Sequence, residues 1–160
     1  MSELGYNGFE RLRRGVDRAF GGSEKVPTFS LVVDAGCGTG LVGEQFRNVS
    51  QRLIGVDLSE AIINEANKKR PGLYDKTIVG DITEAFRDNR PISLIIAADS
   101  YIYFGDLDIL FQSMEDGLDN DGFAAFTLEN VDTDSEHTCV HVLLFKVSNE
   151  SYLTLCSFTT

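Results

Sequence analysis

The chain is short of positive charge, of cysteine and of long apolar runs. Only 14 Lys and Arg stand against 25 Asp and Glu, for a formal net charge of −11. A surface this acidic is repelled by phosphate backbones. The basic clusters, Arg11, Arg13, Arg14 and Lys68, Lys69, Arg70, are short and fall in helical patterns. They read as solvated helix faces, so nucleic acid is not expected as a partner. The three cysteines, Cys37, Cys139 and Cys156, are odd in number and lack metal or redox spacing. Neither a disulfide framework nor a metal site is expected, and a reducing compartment is. No apolar stretch approaches membrane-spanning length, and Met1 to Tyr6 carries no apolar leader pattern. No membrane association is expected, and the location expected is cytoplasmic, with the nucleus as the alternative.

What is present suits one globular domain: 160 residues, 42% hydrophobic and 24% charged. Phe9, Leu12, Val16, Ala19 and Phe20 recur at helical spacing, and Gly21-Gly22-Ser23 stops that helix. Apolar runs then end repeatedly in an acid: Leu31 to Asp34, Arg52 to Asp57, Lys76 to Asp81 and Ile92 to Asp99. Between them lie helical patterns, one opened by Ser59 and closed at Pro71-Gly72, a short one over 83–89, and one capped by Asp106. Asn120-Asp121-Gly122 reads as a turn into a fifth strand, Phe123 to Leu128. Strands alternating with helices imply crossover units, hence an α/β three-layer sandwich with a mostly parallel, doubly wound, Rossmann-like sheet. Val140 to Val147 and Tyr152 to Phe158 read as a C-terminal antiparallel hairpin.

The first strand runs into Asp34-Ala35-Gly36-Cys37-Gly38-Thr39-Gly40, a glycine turn that brings a ligand close to backbone amides. Gly38, Gly40 and Gly43 also match a dinucleotide fingerprint. In a parallel sheet all strand C-termini open on one edge, and this edge would carry Asp34, Asp57, Asp81 and Asp99. An acid just before the first glycine opposes a pyrophosphate at close range. S-adenosylmethionine has no phosphate; an acidic rim suits its ammonium and sulfonium, and amides around Gly36 to Gly40 suit its carboxylate. Asp57 can accept ribose hydroxyls in either scheme. Asp34 tips the balance to the methyl donor.

Asp34 to Gly40 resembles motif I of the class I S-adenosylmethionine-dependent methyltransferases. Gly55-Val56-Asp57-Leu58-Ser59 resembles their ribose-binding strand end, and Gly80-Asp81-Ile82 the segment that meets adenine. Gly72 to Asp75 and Ala98 to Leu107 are similar to a subgroup of small methyltransferase domains often found after tetratricopeptide repeats. The resemblance implies S-adenosyl-L-methionine as cofactor and S-adenosylhomocysteine as product. It places Asp34 near the methionine amine, Gly36, Cys37, Gly38, Thr39 and Gly40 under the methionine part, and Asp57 with Leu58 at the ribose. Asp81 and Ile82 would meet the adenine. Asp99, Ser100 and Tyr101 would line the transfer site, with Tyr6 reaching it from the N-terminal segment. Asp99-Ser100-Tyr101-Ile102 replaces the Asn/Asp-Pro-Pro-aromatic motif of base-amino methylating relatives, which argues against such acceptors.

The expected plan is one domain over residues 1–160: a helical lid (1–26), a cofactor-binding core (27–129) and a divergent C-terminal segment (130–160). That last segment lacks the subgroup's Ser-Gly-Arg-Tyr-Ala-His-Ser-like motif and following helix. The function expected is methyl transfer to a small-molecule or protein acceptor. The alternatives are a cofactor-binding domain without turnover and a nicotinamide-dependent oxidoreductase. Methyl transfer needs a base only when the acceptor must lose a proton; Asp99 is the one candidate, and no catalytic residue is assigned.

Overall fold

The computed structural model describes residues 8–98, 107–131, 138–146 and 156–159. Strands β1 (Phe29–Ala35), β2 (Ser50–Asp57), β3 (Lys76–Val79), β4 (Ile92–Ala97) and β5 (Leu118–Val131) are parallel. β6 (Thr138–Lys146) runs antiparallel to β5, and β7 (Cys156–Thr159) antiparallel to β6. The order across the sheet is β3-β2-β1-β4-β5-β6-β7. The C-terminal hairpin therefore extends the parallel sheet beyond β5.

Both faces of the sheet are covered, which is why its strands read as continuous apolar runs rather than alternating ones. On one face Leu12 and Val16 of α1 (Gly8–Phe20) and Val42 and Phe46 of α2 (Leu41–Phe46) pack on Val32, Leu53, Ile96 and Val142. On the other, Phe86 of α4 (Ile82–Asn89) and Leu110 and Met114 of α5 (Leu107–Gly117) pack on Val33, Ile54, Ile95 and Phe126. Val32 and Val33, adjacent in β1, thus feed opposite layers, as the period of two requires. α3 (Glu60–Lys69) opens on Ser59, whose hydroxyl accepts the Ile62 N–H at 3.3 Å. Among the described residues no helix is long and apolar enough to cross a membrane.

Two details differ from expectation. Asn120-Asp121-Gly122 is no turn between elements. The residues belong to β5, where the register with β4 shifts between Ile92↔Leu118 and Leu94↔Phe123, a looped-out irregularity inside the strand. Nor is Arg13 part of a solvated face. Its side chain is 11% exposed, pairs with Asp17 at 2.9 Å, donates to the Gln45 carbonyl and to Asn48, and lies over the Phe46 ring. It ties α1 to the end of α2, and with Leu12 and Val16 fully buried α1 forms part of the sandwich.

β1 pairs with β2 on one side and β4 on the other. The chain reverses its direction of winding there, the point at which ligands of open α/β sheets bind in the crevice outside the strands' C-terminal ends.

Candidate functional site

The glycine turn leaves β1 in this crevice. Gly36, Gly38 and Gly40 all adopt positive φ, 72°, 53° and 92°, so no L side chain fits without strain. The turn is held from below. The Gly36 and Cys37 amides both donate to the Val56 carbonyl at 2.9 Å, and Gly40 donates to Cys37 at 2.9 Å. Gly38 donates to Asp57 Oδ2 at 3.1 Å, while Asp57 Oδ1 accepts the Ser59 N–H at 2.9 Å. Asp57 thereby joins the glycine turn to the start of α3. These bonds correct one expectation: the amides from Gly36 to Gly40 are no open row for an anion. Within 36–40, Thr39 alone has an amide without a partner among the described residues.

Asp34 is also placed differently from the rim position its sequence neighbours suggest. β1 continues through Ala35, so Asp34 faces the α2 layer and is fully buried. Its Oδ2 accepts the Tyr74 hydroxyl at 2.6 Å and its carboxylate accepts the Gly43 N–H, yet Oδ1 has no partner. Loss of hydration dominates and lifts its pKa to about 7. Burial thus disfavours the charge by which Asp34 would oppose a pyrophosphate. The scarcity of open amides in the turn argues against a dinucleotide instead.

Tyr74, within the Gly72 to Asp75 stretch that resembles the small methyltransferase domains, holds Asp34 but is not among the site residues expected from sequence. It belongs to a strap, residues 70–75, that crosses the outside of the turn. Arg70 donates to the Thr39 carbonyl at 3.0 Å and pairs with Glu44 at 3.1 Å. Asp75 accepts from Arg47 and from the Leu53 N–H, both at 2.7 Å, and its own N–H returns to the Leu53 carbonyl at 2.9 Å. The strap lies in a cradle of glycines. A Cβ on Gly40 would come within 3.0 Å of Leu73, and one on Gly55 within 2.9 Å of the Tyr74 ring. Besides the Gly72 to Asp75 stretch itself, the sequence signal for it is the isolated Gly55 within a strand pattern, which points to a close approach. Cys37 is buried beside this cluster and its thiol is pushed up by desolvation, so it is not a nucleophile.

At the remaining strand ends, Asp81 caps α4, its Oδ1 accepting the Thr83 N–H at 2.8 Å and holding its pKa down through the Thr83 hydroxyl. Ile82, expected over an adenine, is instead buried in the α4 layer. The exposed apolar side chains near Asp57 are Leu58, 74% exposed, and Val79, 50% exposed and paired in register with Asp57. Asp99, Ser100, Tyr101 and Tyr6 lie outside the described residues. Among the described residues no group of His, Cys, Asp and Glu could hold a metal ion.

A family profile described as a methyltransferase domain matches residues 32–122, the stretch from β1 into β5. The chain belongs to that family. It is thereby placed among the class I S-adenosylmethionine-dependent methyltransferases that its motif I resembles. None of the curated proteins matches it significantly. Similar solved structures include an S-adenosylmethionine-dependent methyltransferase from Clostridium acetobutylicum ATCC 824, at 19% identity over 98% of this chain and 74% of that one, TM-score 0.59. DesVI of Streptomyces venezuelae shares 18% over 98% of this chain and 77% of its own, TM-score 0.60. The N-methyltransferase NodS of Bradyrhizobium japonicum WM9, solved with S-adenosylhomocysteine, shares 20% over 78% and 61%, TM-score 0.62. At these identities the likeness concerns the fold.

Proposed function

We propose that the chain binds S-adenosylmethionine at the end of β1 and β2 and transfers its methyl group to a small molecule or a protein side chain. The observation that carries this reading is the Asp57 bridge. One carboxylate holds both the glycine turn and the start of α3 at the sheet's switch point, beside the exposed Leu58. The site fits the cofactor's parts. A Cβ on Gly38 would meet nothing within 4 Å, so the turn is open at Gly38, and we assign Gly36, Cys37, Gly38, Thr39 and Gly40 to the methionine part on the resemblance. We assign Asp57 to the ribose, a reading supported by its position at the end of β2, and the exposed Leu58 and Val79, with Asp81 nearby in sequence, to the adenine. Asp34 retains a buried oxygen without a partner for the amino-acid end.

The cofactor supplies a methyl group already activated by its sulfonium. The protein's share is alignment and exclusion of water, an effect worth roughly 7–11 kcal/mol in well-oriented reactions. By the resemblance of the sequence, we assign Asp99, Ser100 and Tyr101 to the transfer site with Tyr6. The acidic balance of the chain disfavours nucleic acid as acceptor. The deciding experiment is transfer of labelled methyl from S-adenosylmethionine into the small-molecule and protein fractions of a cell extract.

A second reading, cofactor binding without turnover, is favoured by one observation. Six residues separate β5 from β6, too few for the motif and helix of the resembling subgroup. Binding of S-adenosylhomocysteine that is lost on Asp57→Ala, with no labelled product in any fraction, supports it. Calorimetric binding of NAD alone overturns both readings.

A further inference from the structure

Buried polar atoms without partners are rare and call for a cause. Asp34 Oδ1 is such an atom, and its surroundings are specific. Oδ2 is held by Tyr74 at 2.6 Å, the Gly43 N–H meets the same carboxylate, and the neighbours paired with Asp34 across the sheet are Gly55 and the apolar Ile96. The ring of Tyr74 has one seat, between Gly43 and Gly55, where a Cβ at either would come within 2.9 Å of it. The carboxyl group is thus fixed on one side and left unsatisfied on the other.

We propose that Tyr74 is a positioning residue of the cofactor site, holding Asp34 so that Oδ1 is kept for the ammonium at the amino-acid end of S-adenosylmethionine. This rests on the reading of the crevice as the cofactor site. The arrangement makes binding proton-linked. With the place empty, burial keeps Asp34 near pKa 7, opposed by the Tyr74 hydroxyl and the Gly43 N–H and assisted by the negative charge of Asp57. The other groups facing it change little. The Cys37 thiol and Tyr74 hydroxyl are themselves pushed up and stay neutral, and Arg70 of the strap is engaged by the Thr39 carbonyl and Glu44. An ammonium at Oδ1 favours the ionised carboxylate, so its arrival expels the proton, and affinity rises from pH 6 to pH 8.

The test is titration calorimetry of the full chain with three ligands at pH 6, 7 and 8. S-adenosylhomocysteine carries ammonium and carboxylate, 5′-(3-aminopropylthio)adenosine the ammonium alone, and methylthioadenosine neither. In two buffers of different ionisation enthalpy, the first two are expected to release a proton near neutral pH and methylthioadenosine none. Tyr74→Phe keeps the ring in its seat and removes the hydroxyl. It is expected to weaken the two amine ligands roughly 10-fold or more, move their pH dependence upward, and leave methylthioadenosine within about twofold. Equal weakening of all three ligands would reduce Tyr74 to a packing residue and overturn the proposal. So would amine binding by the unmodified protein without proton release, a result independent of how the variant folds. Failure of the unmodified protein to bind methylthioadenosine and S-adenosylhomocysteine alike would sink the cofactor reading itself.

Discussion

A Cβ on Gly43 would lie 2.6 Å from the Tyr74 hydroxyl and 2.9 Å from Asp34 Oδ2. This accounts for the third glycine of the Gly38-x-Gly40-x-x-Gly43 spacing. It leaves room for a side chain from the strap, not for a dinucleotide. Gly43→Ala is therefore expected to destabilise the fold by about 1–3 kcal/mol, the usual cost of forcing an atom into a packed site. In a denaturation cycle, Gly43→Ala on a Tyr74→Ala background should cost clearly less than on the native background, since the clashing group is gone. Additive costs would show that the two residues do not meet.

Asp34 sets a pH dependence with an unusual sign for a carboxylate. Its pKa rises from 3.8 in the unfolded chain to about 7 in the fold, so between those values the folded protein binds more protons than the unfolded one. Stability of the ligand-free protein should fall as pH climbs through that window, by an amount of order 4 kcal/mol from this group. Asp34→Asn removes the titration. Urea midpoints from pH 4 to pH 8 are expected to flatten, with the variant more stable than the parent at pH 8 and unable to bind S-adenosylhomocysteine. An unchanged slope would mean that Asp34 is ionised throughout.

Asp75 acts in the opposite direction. Its pKa is held below the ordinary carboxylate value by the Arg47 hydrogen bond and then the Leu53 N–H. Its contribution is present above the unfolded pKa and is lost as pH falls through the folded one. The ion pair itself is small, about 1 kcal/mol or less, because Arg47 and Asp75 are 34% and 44% exposed. Arg47 also donates to the carbonyls of Leu73, Ser50 and Gln51. Arg47→Ala should therefore cost more than Asp75→Asn, roughly 1–3 kcal/mol, in denaturant melts at neutral pH. The reverse ranking would show that the carbonyl contacts carry nothing.

Much of this molecule is legible in its residues, for an identifiable reason. Parallel strands covered on both faces are continuous apolar runs, so β1, β2 and β4 stand out. The Gly36–Gly40 turn and Ser59 then mark where α2 and α3 begin. Side-chain roles are less legible. Asp34 and Asp57 look alike in sequence, each near the end of an apolar run. One more strand residue, Ala35, turns Asp34 under α2 while Asp57 stays at the edge. Residues 119–122 have turn chemistry and loop out inside a strand, which local sequence cannot distinguish from a turn between elements. Tyr74 falls in the recognisable Gly72 to Asp75 stretch, yet its role is hidden because it comes from Gly43 and Gly55, distant along the chain and informative only for what they lack.

The tail offers the last prediction. Gly15 of α1 faces Val142 of β6, and a Cβ there would lie 2.5 Å from the valine Cγ1 and 2.7 Å from its Cβ. Helix and strand meet at a separation that no side chain at 15 tolerates, and Val142 is fully buried in the same core layer as Leu12 and Val16. The C-terminal hairpin is then a structural partner of α1, and disturbing one should disturb the other. Gly15→Ala is expected to lower the unfolding free energy by about 1–3 kcal/mol. Val142→Ala alone leaves a cavity and costs about 1–3 kcal/mol. Combined, the two should cost less than their sum, because the alanine methyl at 15 enters space vacated at 142. Thermal denaturation of the four proteins measures this directly. A harmless Gly15→Ala would detach β6 from the α1 face and return residues 138–146 to the status of an appended tail.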